Sequence, residues 1–251
     1  MAGYSRFFLG KTLDGPGEYV LARDESHHAV NVLRQREGDR IEVFDGLGKY
    51  AQAMVSRISP DVLEVRVDEI ESAPRLSPML VIAVCIPKGK RWQMLVEKCT
   101  ELGADRIVPM LTGRSVAKVE GNADKWRRWI IEAAKQARRA WLPAITEPME
   151  FSQVLELTEN DGTVLLLADI GGENPGNLRD VIANARQAAV LIGPEGGFTP
   201  GEAAECLRRG GKAISLSPFT LRVETAAGIA CGLIQNLLAG HTERRYTEVE
   251  F

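Results

Sequence analysis

The sequence predicts an α/β protein in two parts, a small β-barrel over residues 1–72 and a parallel-sheet α/β domain over residues 73–251. Three observations carry this. Short β-like runs crowd between turn signals in the first part. From Met79 onward apolar runs alternate with helical periods. Between the two, residues 72–78, with Pro74 and Pro78, read as a linker.

In the first part, β-like runs fall at 18–21, 40–44, 50–58 and 62–67, with one short helix around 25–34. Gly38-Asp39, Asp45-Gly46 and Ser59-Pro60-Asp61 supply the turns between them. In the second part, apolar runs at 79–86, 107–111, 163–168, 190–192 and 213–216 predict buried strands. Over 91–103, Trp92, Leu95, Val96, Cys99 and Leu102 share one helical face. Over 124–140 the apolar set is Trp126, Trp129, Ile130, Ala133 and Ala137. Thr199-Pro200-Gly201-Glu202 has an N-cap, a proline at N1 and a glutamate at N3, and opens a helix to about Arg209. Gly210-Gly211 closes it, and a last helix runs over 224–239.

Composition excludes several classes. The four cysteines are widely spaced and form no C-x-x-C pair, which argues against a zinc site or disulfide framework and fits a reducing cytosol. The N-terminus lacks a signal-peptide apolar region, and no apolar run reaches the roughly 18 residues of a membrane span. A cytoplasmic protein is expected. The loop after the first α/β strand is Pro87-Lys88-Gly89-Lys90-Arg91, not a G-x-G-x-x-G turn, and the chain has no P-loop and no G-x-S-x-G elbow. His27, His28 and His241 lack ligand spacing, so no metal is expected.

Two strand-loop-helix segments can carry chemistry. In 191–199, a buried strand ends in Gly193-Pro194-Glu195-Gly196-Gly197 and enters the capped helix. Glycines there admit a ligand close to the backbone, whereas a plain turn needs about one of them. In 214–227, a second strand feeds a loop and a helix, with Arg222 and Glu224 flanking the helix start, although Glu224 can also simply cap it. Both loops lie at the carboxyl edge of the sheet. The net charge of −3 hides a basic middle: residues 85–141 balance to +7. On a helix through 124–140, Arg128, Lys135, Arg138 and Arg139 fall within about a 100° arc. With Lys88, Lys90 and Arg91 nearby they suit a phosphate backbone, though solvated helices carry such charges routinely.

The stretches VLIGPEGGFTPGE (190–202) and LSPFTLRVETAA (216–227) resemble the C-terminal motifs of the bacterial 16S ribosomal RNA uridine-N3 methyltransferases, of the SPOUT class. The likeness extends to 91–118, to 132–139 and to 27–48, which is similar to that family's PUA-like barrel. The resemblance implies a trefoil-knotted methyltransferase domain, a homodimer and S-adenosylmethionine as cofactor. It implies that Leu167, Ala168, Gly193, Pro194, Glu195, Gly196, Leu216, Ser217, Leu221 and Arg222 surround that cofactor. Ser217 stands where the family has glycine, Phe219 where a basic residue is common, and Arg138 where Q-x-G-R has glycine.

The implied reaction methylates uracil N3 in 16S ribosomal RNA of the small subunit. Glu224 is the candidate proton acceptor, and Arg222 the candidate partner of the charge that develops on the uracil oxygens. Because N3 is hidden in a base pair, the target must be unpaired or extruded. Candidate RNA contacts are Arg6, Arg34 and Arg36 in the barrel, and Lys88, Arg91, Arg128, Lys135, Arg138 and Arg139 in the basic middle. A methyltransferase of transfer RNA and a non-catalytic RNA-binding assembly factor are the alternatives. The intact G-P-E-G-G turn and R-V-E-T-A loop favour catalysis, because a binding module needs no cofactor cradle.

Overall fold

The computed structural model describes residues 4–60, 62–115 and 122–239. Asp61 of the expected turn, residues 116–118 of the resembling stretch 91–118, and His241 lie outside that set. The chain divides into two compact units, and residues 134–142 belong with the N-terminal one.

The N-terminal unit is built on β1 (Arg6–Phe8), β2 (Gly17–Val20), the short helix α1 (Arg23–His27) and a π-helical turn, His28–Val32. These are followed by β3 (Arg40–Phe44), β4 (Lys49–Ser59), β5 (Val62–Val67) and β6 (Glu71–Ser72). The sheet order is β1-β3-β4-β5-β2, with β6 on β4. β1 pairs with β3 in parallel, matching Phe7 to Val43; the β3–β4 and β4–β5 pairs are antiparallel. Strict alternation puts Ile41, Val43, Ala51, Ala53, Val55, Leu63, Val65 and Val67 on one face, where they pack with Phe7, Leu9, Leu13 and Leu21. Two buried ion networks complete this unit. Lys135 Nζ donates to both carboxylate oxygens of Glu25 at 3.1 Å. Arg6 lies 2.7 Å from Glu42, which also accepts from Arg138 Nη2 at 2.9 Å.

The second unit contains β7 (Met79–Cys85), α2 (Arg91–Glu101), β8 (Arg106–Leu111) and most of α3 (Ala123–Gln136). It continues through β9 (Ala144–Ile145), β10 (Met149–Glu150), α4 (Phe151–Thr158), β11 (Thr163–Glu173) and α5 (Arg179–Ala183). Then come β12 (Gln187–Ile192), α6 (Pro200–Arg208), β13 (Lys212–Ile214) and α7 (Val223–Ala239). The strands run parallel in the order β10-β8-β7-β12-β11-β13, with β9 on β8. One sheet face buries Val81, Ala83, Cys85, Leu165, Leu167, Ala189 and Leu191 against Phe151, Val154 and Leu155 of α4 and Cys206 of α6. The alternate residues Leu80, Ile82 and Val84 are also fully buried, and α7 packs on β7, on β12 and on α2. Burial on both faces explains why these strands read as continuous apolar runs.

The structure corrects the helix expected over 124–140. It stops at Gln136, Ala137 is exposed, and Arg138 adopts φ +51°. Arg138 and Arg139 therefore leave the helical arc on which they were counted. The run 163–168 is the first half of a longer strand, which bulges over residues 169–172 and pairs with β13 again where Glu173 matches Ile214. The small residues of α7 have an intrachain use: a Cβ on Gly228 would lie 3.7 Å from Leu102, which follows α2.

Candidate active site

Parallel pairing sets the Ala168–Ile170 stretch of β11 beside the carboxyl ends of β12 and β13, and that stretch with the loops after β12 and β13 encloses a cavity of about 220 Å³. The loop after β12 is shaped by its glycines. Gly197 holds φ +68° and donates its amide to the Pro194 carbonyl at 2.8 Å. A Cβ on Gly193 would stand 3.1 Å from the Phe198 ring. Arg114 Nη1 donates to the carbonyls of Gly196 at 2.7 Å and Phe198 at 3.2 Å, holding the outer turn from the loop after β8.

The predicted capping box forms: the Thr199 hydroxyl accepts from the Glu202 amide, and Glu202 accepts from the Thr199 amide. Glu202 also accepts from the Gly113 amide at 2.8 Å. Burial pushes the Glu202 carboxyl up. The bonds from Gly113 and Thr199, with the charge of Arg114, outweigh that and hold it below the usual glutamate range.

The loop after β13 is pinned by serines. The Ser215 amide donates to the Glu173 carbonyl at 2.9 Å, and the Ser215 hydroxyl donates to the Ser217 carbonyl at 3.1 Å. Ser217 Oγ accepts from the Phe219 amide at 3.1 Å. Ser217 thus closes its own turn, an ST-turn. It leaves Phe219 76% exposed on the rim.

Of the residues expected around a cofactor, Ala168, Gly193, Pro194, Glu195, Leu216, Ser217 and Leu221 line the cavity. Leu167 does not: it is buried in the sheet core. Gly196 turns its carbonyl to Arg114, and Arg222 is exposed outside the lining. Asp169, Ile170, Phe198, Thr220 and Val223 also line it and went unpredicted. The signal for Asp169 and Ile170 was their place directly after the apolar run 163–168, at the ligand-bearing end of a parallel strand.

Glu224 sits just behind the wall. Its side chain is 9% exposed, and Oε2 has no hydrogen-bond partner among the described residues. Arg91 Nη1 stands 3.9 Å from that oxygen and 3.5 Å from Oε1 of Glu195. Arg91, expected on RNA, is thus held between two carboxylates of the site.

The other expected RNA contacts divide by exposure. Arg34, Arg36, Lys88 and Arg128 are exposed, Arg138 is exposed but bonded to Glu42, and Arg139 is half-buried. Two expectations are corrected. Arg6 and Lys135 are buried, each committed to a carboxylate of the N-terminal unit, because a desolvated cation needs a fixed partner. Burial lowers the Arg6 guanidinium to about 10 against the pull of Glu42.

Comparison with known proteins agrees with this geometry. The model of the RNA methyltransferase domain matches residues 75–235, and that of the RNA methyltransferase PUA domain matches residues 21–68. The ribosomal RNA small subunit methyltransferase E of Mycobacterium bovis is 32% identical over 237 residues, covering 91% of this chain and 90% of its own. The protein of that name from Bacillus subtilis is 28% identical, covering 88% and 92%. Among solved structures, ribosomal RNA small subunit methyltransferase E from Neisseria gonorrhoeae, bound to S-adenosyl methionine, superposes with a TM-score of 0.86 at 25% identity. That match covers 95% of this chain and all of the other. A Legionella pneumophila methyltransferase in complex with the same cofactor gives 0.82 at 28% identity, covering 93% and 97%. Fold and site together define an RNA methyltransferase with a PUA domain. Within that class, the chain belongs to the ribosomal RNA small subunit methyltransferase E family.

Proposed function

We propose that this protein transfers a methyl group from S-adenosylmethionine to N3 of a uridine in 16S ribosomal RNA of the small subunit. The observation that carries the reading is the cavity between residues 168–170 of β11 and the loops after β12 and β13. Its chemistry fits this cofactor. Ile192, Phe198, Leu216 and Leu221 offer apolar walls to an adenine, and the carboxylates of Asp169 and Glu195 suit a ligand with a sulfonium and an ammonium. When bound, S-adenosylmethionine supplies an electrophilic methyl whose leaving group is a neutral thioether.

The chain's own residues position, exclude water and move one proton. Arg222 and Glu224 flank Val223, whose side chain lines the cavity. In this reading Glu224 takes the N3 proton as the N–C bond forms, through the buried Oε2, which has no hydrogen-bond partner among the described residues. Arg222 offsets the charge that develops on the uracil oxygens. Arg91, ion-paired to Glu195 and Glu224, orients both carboxylates. Exposed Arg34, Arg36, Lys88 and Arg128 bind phosphates from their two units.

The reading includes the trefoil-knotted crossing that the resemblance to the SPOUT class implies, supported by the likeness of the whole chain to a solved methyltransferase of this family. It also includes a homodimer in the cytoplasm. Gly232 of α7 has nothing within 4 Å of an added Cβ, which leaves room for a second helix. Among the described residues no helix is long and apolar enough to cross a membrane.

The test is transfer of labelled methyl from S-adenosylmethionine to purified small subunits, free ribosomal RNA and transfer RNA. Label in ribosomal RNA supports the reading. Label in transfer RNA alone assigns another substrate, and cofactor binding without transfer assigns an assembly factor.

A further inference from the structure

A second cavity, of about 190 Å³, opens at the same edge of the sheet, between the loop after β7 and helix α3. Its walls are Ile86, Pro87, Gly89, Trp92 and Trp129, and Lys90 and Lys125 stand at its mouth. Trp129 is half-buried, and its ring carries the Lys125 ammonium 5.4 Å from its centroid. An indole face beneath a movable cation, beside proline and glycine, has the make-up of a stacking platform for a planar ring with an attached anion. Lys88 and Arg128, both exposed, extend the positive rim. Among the charged and polar lining residues only Gln93 is uncharged, and it is turned to Glu97 at 2.8 Å.

The position is as informative as the chemistry. β7 is the sheet neighbour of β12, so the loops that follow these two strands adjoin. Arg91 sits between the cavities: its guanidinium meets Glu195 of the first, and its chain neighbours Lys90 and Trp92 line the second. An RNA that brings its target base to the mouth of the first cavity, where the cofactor is held, and sets a neighbouring base in the second therefore passes Arg91.

We propose that this second cavity binds an unstacked base of the RNA, adjacent to the nucleotide held for methylation, with Trp129 as its stacking surface and Lys90 and Lys125 on its phosphate. The proposal rests on the methyl-transfer reading for the identity of the RNA, but not for the existence of the site. Binding displaces the Lys125 ammonium from the indole to the phosphate. It makes recognition depend on a nucleotide that is not itself modified.

The test uses the whole chain and a labelled single-stranded oligoribonucleotide of about ten nucleotides, within the size that such grooves hold. Binding is followed by fluorescence anisotropy, with cofactor affinity by calorimetry and methyl transfer to small subunits in parallel. Trp129→Ala is expected to weaken RNA binding by about tenfold or more, the usual scale for losing one base–aromatic stack. Trp129→Phe, which keeps an aromatic face, should stay within about threefold of the parent. Lys125→Gln should flatten the salt dependence by about one phosphate contact. Cofactor affinity should not move in any of them, which separates the site from a general loss of fold. RNA binding by Trp129→Ala equal to the parent's, or no binding by the parent, overturns the proposal. Methyl transfer by the parent is read separately: its absence sinks the methylation reading while the anisotropy still decides the site.

Discussion

Gly172→Ala tests the geometry that brings β11 and β13 together under the first cavity. A Cβ at residue 172 would lie 2.4 Å from the Ile214 carbonyl carbon, 2.5 Å from its nitrogen and 2.6 Å from its Cα. All three are main-chain atoms of a paired strand, so no side chain can rotate away. Overpacking typically costs about 1–3 kcal/mol, and an obstacle made of backbone belongs at the upper end, about 3 kcal/mol. At roughly 2–4 °C per kcal/mol for a domain of this size, the melting temperature should fall by about 6–12 °C. Because Ile214 leads directly into the loop of Leu216 and Ser217, affinity for S-adenosylmethionine should fall with it. Thermal unfolding by circular dichroism and calorimetric titration read the two effects. Gly171→Ala is the control: its added Cβ meets only the Asp169 Oδ1 side-chain atom, at 3.3 Å. A melting temperature within about 1 °C of the parent for Gly172→Ala, with unchanged cofactor affinity, would refute this packing.

Lys135→Ala leaves the Glu25 carboxylate buried beside an apolar gap, and should cost about 3–5 kcal/mol in urea unfolding. It should leave the salt slope of RNA binding where it was, whereas Arg128→Ala, at an exposed site, should reduce that slope by about one. The Glu202 carboxyl is held below its usual range, so its contribution to stability is full above the ordinary glutamate pKa and is lost as pH falls through the lowered value. Glu202→Gln should therefore flatten the loss of stability on acidification, with little change in pH dependence near neutrality; an unchanged acid limb in a series of melts contradicts it. Arg222→Ala should abolish turnover with only a modest loss of cofactor affinity, and near-normal turnover would remove its role.

Much of the fold was legible because burial dictates the pattern. The strands of the α/β unit carry unbroken apolar runs, and 40–44 and 62–67 match β3 and β5 residue for residue. The capping box at Thr199 needed only four residues to declare a helix start. What escaped lacked either length or apolar residues. Helix α4 has its own box, Glu150 with Gln153, and buries Phe151, Val154, Leu155 and Thr158, but eight residues give barely two turns of periodicity. The end of β11, Asp169-Ile170-Gly171-Gly172-Glu173, is held by its neighbour rather than by burial, so nothing in its own composition marks it as strand.

Charge patterning was the least reliable guide. Lys135 and Arg138 count as basic surface in a sequence, and only the tertiary fold reveals Glu25 and Glu42 as their partners. Arg91 shows the same effect inside the site, where two carboxylates distant in sequence hold it. The loop after β12 was readable as a glycine-rich turn ahead of a capped helix. That the walls include Asp169 and Phe219 required the strands to be set side by side.

The most direct measurement is the identity of the methylated nucleoside. Small ribosomal subunits that lack the modification are incubated with the protein and labelled S-adenosylmethionine, and their 16S ribosomal RNA is digested and analysed by mass spectrometry. N3-methyluridine, formed by the parent protein and lost with Arg222→Ala, is the expected result. A different methylated nucleoside, or no label in the RNA from a protein that binds the cofactor, would contradict the proposed reaction.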